Sequence, residues 1–485
     1  MNLSLKDQKR RESILNDSIW KVLLIVLVPI AMYNFLTYLF GVFDLKIVSM
    51  FPNDPKDSVA FFDEIKNAIS AFGGGFAIGG AVIVANLYGK GEIEEARKNA
   101  GVVLILTTII SFTIIVITIL GVIPILRLLK FDENIINQGV GYFYIQILTT
   151  ALTSINIVFI GLERAKRNTK IILLLNLAVA FIKVVLTLLF VFVFNLKSIE
   201  WVAVTTLIAQ LALTIVAIFV MFNKNNVFRI NLKDLSFNKK YIKAMILISI
   251  PVVFGKFMFS LGKVIVNYFA TVFYGAEALA ALTITYKANL GVGAIANSTE
   301  ETEMTIISQN LGNNQPKRAF KTVFVATIYT LIVTIVGIVL ITIFADPAVR
   351  FFISKPAAGA SLELWNQYDL KVSMAKELLM YERYSMLTTA MIGVFLGGFY
   401  GFKLTKLSYI INIIRVFLFR IPILIILYYF AKDLGFKAIG LTMVLSNTLT
   451  ALLVFLLFVA FYYKHKQESY ISLLEVAWKI KKVKL

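Results

Sequence analysis

The stretches IVANLYGKGEIEEARK (83–98) and IISQNLGNNQPKRAFK (306–321) are two versions of one segment. At a constant offset of 223, Ile83, Gly89, Ala96 and Lys98 meet Ile306, Gly312, Ala319 and Lys321. The same offset carries Pro124 and Arg127 (PILRLL) onto Pro347 and Arg350 (PAVRFF). Further along, LTTAL (148–152) meets LTTAM (387–391), and Thr169, Lys170 and Asn176 meet Thr405, Lys406 and Asn412. There the offset has grown to 236–239, which places an insertion at 346–382. Separate anchors in one order at nearly constant spacing identify a unit written twice.

Around these anchors the chain is apolar. Of 485 residues 59% are hydrophobic and 16% charged, the mean hydropathy is +0.82, and there are 40 Phe. A soluble domain is roughly half apolar and about a quarter charged. A formal charge of +20 would otherwise suggest nucleic acid; with this composition it points to a bilayer. Runs of about 20 apolar residues read as membrane helices. Twelve are predicted: 19–50, 59–88, 99–126, 136–162, 169–194, 200–222, 243–274, 278–310, 319–345, 383–402, 405–430 and 437–463. Strand-type alternation is absent, which argues against a β-barrel. The first span is too long for a signal peptide and no small-residue cleavage site follows it.

Basic residues set the orientation. With the N-terminus inside, the inner segments hold 28 Lys+Arg and the outer ones 10. Both termini are therefore expected in the cytoplasm. Six spans per copy is an even number, so the copies run parallel, about an axis along the membrane normal. The predicted fold is an all-α integral membrane protein: twelve transmembrane helices as two parallel six-helix repeats, forming two lobes around a central cleft. Its parts are a cytoplasmic segment (1–18), an N-lobe (19–222), a basic cytoplasmic linker (223–242), a C-lobe (243–463) with the outside insertion 346–382, and a tail (464–485). The insertion reads as a linker plus a surface helix. In the tail, Ile471, Leu474, Ala477 and Trp478 recur at helical spacing beside lysines, as in an amphipathic helix on an anionic leaflet.

With no Cys there is no disulfide scaffold or thiolate site, and the single His465 excludes a His-cluster metal site. No H-x-x-x-H or G-x-S-x-G constellation is present, so an enzyme is not expected. No cofactor, resident metal or nucleic-acid partner is expected either. A channel fits a duplication too, but no ring of pore-lining charge is evident.

The chain resembles the multidrug and toxic compound extrusion (MATE) family over nearly its whole length. ANLYGKGEIEEAR (85–97) and SQNLGNNQPKRAF (308–320) are similar to the family's small-x-x-LG-x-G-x-x-x-x-A-R loops after spans 2 and 8. GLERAKRNTKIILLLN (161–176) is similar to its R-A-x-G-[ND]-T-[KR] turn before span 5, and Asp44 stands where the family commonly has an Asp in span 1. The resemblance implies a secondary transporter exporting organic solutes against entering protons or Na+, with a V-shaped cleft between lobes. Two departures matter. The family's N-x-x-L-[DN] pattern in span 5 reads K-V-V-L-T (183–187) here, so a second first-lobe carboxylate is missing. Span 7 lacks the Glu that one branch carries.

Ionisable groups within spans are costly unless paired or solvated, so each is a candidate. Asp44 lies roughly 36 Å along the helix from Trp20; its repeat mate is Asn267. It reads either as a coupling-ion carboxylate, for a proton or Na+, or as an interfacial Asp paired with Lys46 or Lys183. Lys183 reads as its counter-ion, switching or purely structural. Asn176 lies two turns away. Lys256, Ser260, Lys263 and Asn267 share one face of span 7. Glu300, Glu301 and Glu303 in NSTEETEMT (297–305) form either a second cation or substrate site, with Na+ at Glu300 as one option, or a charge-paired lock. Their available partners are Lys256, Lys263, Lys287, Arg415 and Arg420. Gly89 and Gly312 are read as positive-φ helix ends.

The predicted protein is a monomeric multi-pass transporter of the cell membrane, exporting small organic or amphipathic solutes by proton or sodium antiport. The alternative is a flippase for a lipid-linked or anionic amphiphile, favoured by Lys and Arg residues within spans.

Overall fold

The computed structural model describes residues 4–51, 55–128, 133–231, 238–353, 355–356 and 359–465. The tail helix predicted over 464–485 lies outside them from residue 466 on. The described residues are helical. In order they form α1 (Leu5–Asn16), α2 (Ile19–Val48), α3 (Lys56–Lys90), α4 (Ile93–Leu128), α5 (Glu133–Ala165) and α6 (Thr169–Leu188), which continues through a π turn (Leu189–Val193). Then follow α7 (Ile199–Phe222), α8 (Lys239–Tyr274), α9 (Ala276–Gly312), α10 (Pro316–Ile343), α11 (Ala345–Phe352) and α12 (Leu362–Gly401). Last come α13 (Thr405–Ile413), a π turn (Ile414–Arg420), α14 (Ile421–Phe430), a 3-10 turn (Lys432–Leu434) and α15 (Lys437–His465). Ten spans are long and apolar enough to cross a membrane, and α9, bent by 52°, makes eleven. The chain is thus a multi-pass membrane protein.

Four turns carry the internal similarity down to the backbone. After α3, Gly91 has φ +84°, Gly91 N–H bonds Tyr88 C=O and Glu92 N–H bonds Leu87 C=O. After α9, at the same offset of 223, Asn314 has φ +55°, Asn314 N–H bonds Leu311 C=O and Gln315 N–H bonds Asn310 C=O. After α5, Arg167 has φ +60°; after α12, 236 residues on, Lys403 has φ +61°. Their paired bonds, Asn168 N–H to Glu163 C=O and Leu404 N–H to Phe399 C=O, complete the same left-handed helix stop.

These turns correct the reading of Gly89 and Gly312. Both are helical; the positive φ falls two residues later, at Gly91 and Asn314. The two glycines instead let α3 and α9 touch. A Cβ on Gly89 would lie 2.2 Å from the Gln309 carbonyl oxygen, and one on Gly312 would lie 2.1 Å from that of Asn86. Asn86 and Gln309 are themselves 223 apart, so the contact is made twice, reciprocally.

The cores divide by height. At the α1 end, Ile19, Val22, Leu23 and Leu27 of α2 pack among α9, α10 and α12, beside Ile307, Phe320 and Phe399. Likewise Met245, Ile248 and Val253 of α8 pack among α3, α4, α5 and α7. At the other end the buried cores no longer mix. One holds only residues of 47–203, including Phe62, Phe143 and Ile199. The other holds only residues of 266–443, including Ala270, Leu378 and Leu424.

Two segments differ from expectation. The inserted helix is not a separate surface helix: α12 runs unbroken for 40 residues, about 60 Å. Its first part carries Glu363, Asp369, Lys371, Lys376 and Glu377, outside the apolar run. Asp346 of α11 braces it, accepting from Arg350 Nε (2.9 Å) and Lys376 Nζ (2.8 Å), which hold its carboxyl below its ordinary range. The described part of the linker after α7 is not free: Val227, Phe228 and Ile230 are buried, Phe228 lies edge-on to Tyr88, and Arg97 Nε donates to Val227 C=O (2.7 Å).

Gly89→Ala and Gly312→Ala should each destabilise the protein by about 1–3 kcal/mol, the cost of overpacking a fitted contact. Gly121→Ala, whose Cβ meets only Ile125 Cδ1 at 3.9 Å, should be neutral or stabilising. Thermal melting in detergent reads the difference; equal melting temperatures for all three would refute the packing role.

Candidate functional site

Asp44 and Lys183 meet. The Lys183 ammonium donates to Asp44 Oδ2, joining α2 to α6, with side chains 10% (Lys183) and 18% (Asp44) exposed. Asp44 Oδ1 is buried without a hydrogen-bond partner among the described residues. Lys46, the other counter-ion considered, stands over the Phe351 ring at 5.6 Å. Next to the pair lies a network that the sequence did not single out. Asp63 Oδ1 accepts from Lys66 Nζ (2.6 Å) and the Tyr142 hydroxyl (3.0 Å), which accepts from Gln146 Nε2 (3.1 Å). Asn176 is buried and satisfied by its own helix, donating to Ile172 C=O at 2.6 Å.

The three glutamates of α9 face three neighbours. Glu300 lies 3.6 Å from Lys256 of α8. Glu301 accepts from Arg164 of α5, whose Nε also donates to Thr305 Oγ1 (3.1 Å). That ion pair joins the two halves of the chain, and Arg164 was not among the partners foreseen. Glu303 is fully buried against α12, where a Cβ on Gly397 would meet its Oε1 at 2.3 Å; neither oxygen has a partner among the described residues. Arg415 and Arg420 do not come to the glutamates; both bond Asn447. Lys263 lies over the Phe259 ring at 5.3 Å, and Asn267 Oδ1 is buried without a partner among the described residues.

At the α1 end the halves are tied by polar bonds around the two glycines. Asn86 Nδ2 donates to Ser308 C=O (3.0 Å) and Gln309 Nε2 to Ala165 C=O (2.7 Å). Lys403 Nζ donates to Asn86 Oδ1 (2.9 Å). Helix α1 lies across this seam: Arg11 donates to the carbonyls of Tyr88 (2.8 Å) and Gly89 (2.7 Å), Arg10 to Asn168 Oδ1 (2.7 Å), and Ile14 C=O accepts from Arg318 (3.0 Å). Sequence reading took 1–18 only as a cytoplasmic segment and missed this. The signal was in the Arg10-Arg11 pair and the apolar Ile14 and Leu15, both now buried.

A helical membrane bundle with paired charges in its interior and an interface tied at one end belongs to the class of membrane transporters. The MatE family model matches residues 29–189 and 251–426, one stretch in each half of the chain. The chain belongs to the MatE family, whose members are transporters rather than enzymes. A Bacillus subtilis (strain 168) protein described as the uncharacterized transporter YisQ is 20% identical over 343 residues, covering 70% of this chain and 74% of that protein. A multidrug resistance MATE family transporter of the MOP superfamily, in an outward-facing conformation, superposes with a TM-score of 0.77 at 16% identity, over 94% of this chain and 97% of that one. A MOP superfamily transporter from Pyrococcus furiosus, described by a reverse polarity of its binding pocket, superposes with a TM-score of 0.82 at 17% identity, with the same coverage of both chains.

Asp44→Asn should lower stability by about 3–5 kcal/mol, because it strands a buried ammonium. The double variant Asp44→Leu/Lys183→Met should recover most of that loss. Thermal melting of the cycle tests it; additive losses would show that the two do not interact.

Burial, reinforced by Lys90, pushes the Lys403 ammonium down from 10.5 to about 7. Its folded value lies below its unfolded one, so between about pH 7 and 10.5 the unfolded chain holds the extra proton. Stability should therefore rise with pH across that window, and Lys403→Met should flatten the rise. A pH series of melting temperatures checks the sign.

Proposed function

We propose that this chain is a secondary active transporter that exports small organic or amphipathic solutes by proton- or sodium-coupled antiport. In this reading it works as a monomer in the cell membrane, with both termini cytoplasmic. It uses twelve spans in two parallel six-helix lobes, 19–222 and 243–463. α12, tenth in chain order, completes the twelve, its charged outer part masking an apolar inner one.

The observation that carries the reading is the division of the cores. The halves interlock at the α1 end and pack separately at the other. Alternating access requires an interface that can be shut at one end while free at the other. The shut end is held by polar bonds, close glycine contacts and the mixed apolar cores around α2 and α8. The free end faces outward when the termini are cytoplasmic, matching the outward-facing relative.

Asp44 is the coupling carboxylate in this scheme. Oδ1 is vacant of partners while Lys183 holds Oδ2, so an entering proton or Na+ competes with Lys183 for the carboxylate. Release of Lys183 would unfasten α2 from α6. The Glu300–Lys256 and Glu301–Arg164 pairs act as a lock between α9 and its neighbours. Glu300 remains the second candidate for Na+.

The test is solute uptake into proteoliposomes under imposed proton or Na+ gradients. One tenfold gradient should drive accumulation, and Asp44→Asn should cut that ion-driven component at least tenfold. An unchanged ion dependence in Asp44→Asn would remove Asp44 from the mechanism. No accumulation under either gradient would reject antiport and favour the alternative, a gradient-independent flippase for a lipid-linked or anionic amphiphile.

A further inference from the structure

Three cations crowd one site in the second half, and among the described residues no carboxylate lies within ion-pair distance of them. Arg415 and Arg420 belong to the π turn that interrupts α13 and α14. In an α-helix, residues five apart point about 140° away from each other. The i→i+5 bonding of a π turn brings them nearly one above the other. Both guanidiniums therefore reach the same atom. Asn447 Oδ1 of α15 accepts from Arg415 Nε (3.0 Å), Arg415 Nη2 (2.8 Å) and Arg420 Nη2 (2.7 Å). Ser385 Oγ fixes that amide by accepting from its Nδ2 (2.5 Å). Ser446 Oγ and Thr389 Oγ1 take one further N–H each, at 3.3 and 3.5 Å.

Arg415 and Arg420 are only 5% and 3% exposed. Phe259 of α8 gathers the charges: Arg415 Cζ, Lys263 Nζ and Arg420 Cζ lie 4.5, 5.3 and 5.8 Å from its centroid. Glu64 of α3 and Glu382 of α12 are the carboxylates in electrostatic range. Among the described residues none of the three cations makes an ion pair within 4.0 Å. The Nη1 of each arginine makes no hydrogen bond among the described residues.

A neutral amide holding two buried guanidiniums side by side is a poor structural device. Like charges repel strongly in a low-dielectric interior, and a buried ion without its opposite is costly. Packing would be served as well by apolar residues. The unused Nη1 groups, the planar Phe259 face and the ammonium of Lys263 fit one ligand chemistry: an oxyanion joined to a flat or apolar body. Lys256, on the same face of α8 as Lys263, has 36% of its side chain exposed, and a charged residue within a span faces a water-filled cavity or the bundle interior.

We propose that Lys263, Arg415 and Arg420 bind the anionic group of the transported solute, a sulfonate, carboxylate or phosphate, with Phe259 stacking on its body. This deepens the transport reading and rests on it for the word "transported"; the binding site itself does not.

The test is dye binding to the full-length protein in detergent by fluorescence anisotropy, without a gradient. The probes are anionic sulforhodamine B and cationic rhodamine 6G. Sulforhodamine B should bind at least tenfold more tightly. Arg415→Gln, Arg420→Gln and Lys263→Gln should each weaken it about tenfold, one charge-assisted hydrogen bond's worth. Lys263→Gln leaves the Asn447 bonds intact, so it decides the matter if either arginine variant fails to fold. Displacement of bound dye by phosphatidylglycerol in mixed micelles would identify a lipid headgroup as the anion, and displacement by benzenesulfonate alone a soluble one. Tighter binding of rhodamine 6G, binding of neither dye, or unchanged sulforhodamine B affinity in Lys263→Gln would overturn the proposal. Gradient-driven uptake of rhodamine 6G alongside absent sulforhodamine B binding would reject the anion site and keep antiport. Sulforhodamine B binding without gradient-driven uptake would do the reverse.

Discussion

Everything else in the bundle is arranged around the closeness of α3 and α9 at the α1 end. Two helix backbones can touch only where side chains are missing, and Gly89 and Gly312 supply the gap on each helix. The contact brings exposed carbonyls and amides of both helices within reach of each other's side chains. Asn86 reaches across the contact, donating to Ser308 C=O of α9, while its repeat mate Gln309 donates to Ala165 C=O of α5. At the same end, α2 and α8 cross to pack against the opposite half. That crossing is why the cores at this end are mixed and those at the other end are not.

Much of this was legible in the sequence. Span positions follow from apolar runs, since the bilayer leaves few alternatives to a helix. The repeat was visible because its anchors are turn and packing residues, which tolerate little change. The fine assignment failed at the glycines. A helix-ending glycine and a helix-packing glycine look alike in one dimension, and GKG places both within three residues. Lys183 was one of two partners the sequence offered Asp44, Lys46 being the other, because all three are ions within spans. The pairing of Glu301 with Arg164 was not, since Arg164 reads as a loop residue in GLERAK until α5 is seen to run through it. The π turn left no signal: IRVFLFR has an ordinary apolar pattern, and the five-residue spacing of its arginines means little on an α-helix.

The distribution of charge separates the two halves chemically. In the first, a carboxylate and an ammonium neutralise each other between α2 and α6, with Asp63, Lys66 and Tyr142 alongside. In the second, the cations of the π turn gather on a neutral amide. The halves share a backbone plan yet carry unlike local balances, so a duplication of fold did not preserve a duplication of chemistry. In the proposed transport scheme, this divergence would separate a driving-ion site from a cargo site on one scaffold.

The four left-handed turns record how the two copies aged. Gly91 faces Asn314 across the repeat, and Arg167 faces Lys403. Only one of the four is the residue for which that conformation is free; arginine and lysine hold it at a cost. The side chains have drifted while the dihedral angles have stayed within 30° of one another. The trace of the ancestral half-protein is thus written in torsion rather than in letters. In a chain of this kind, the oldest information is kept at the joints between helices and is invisible to any comparison that counts only matching residues.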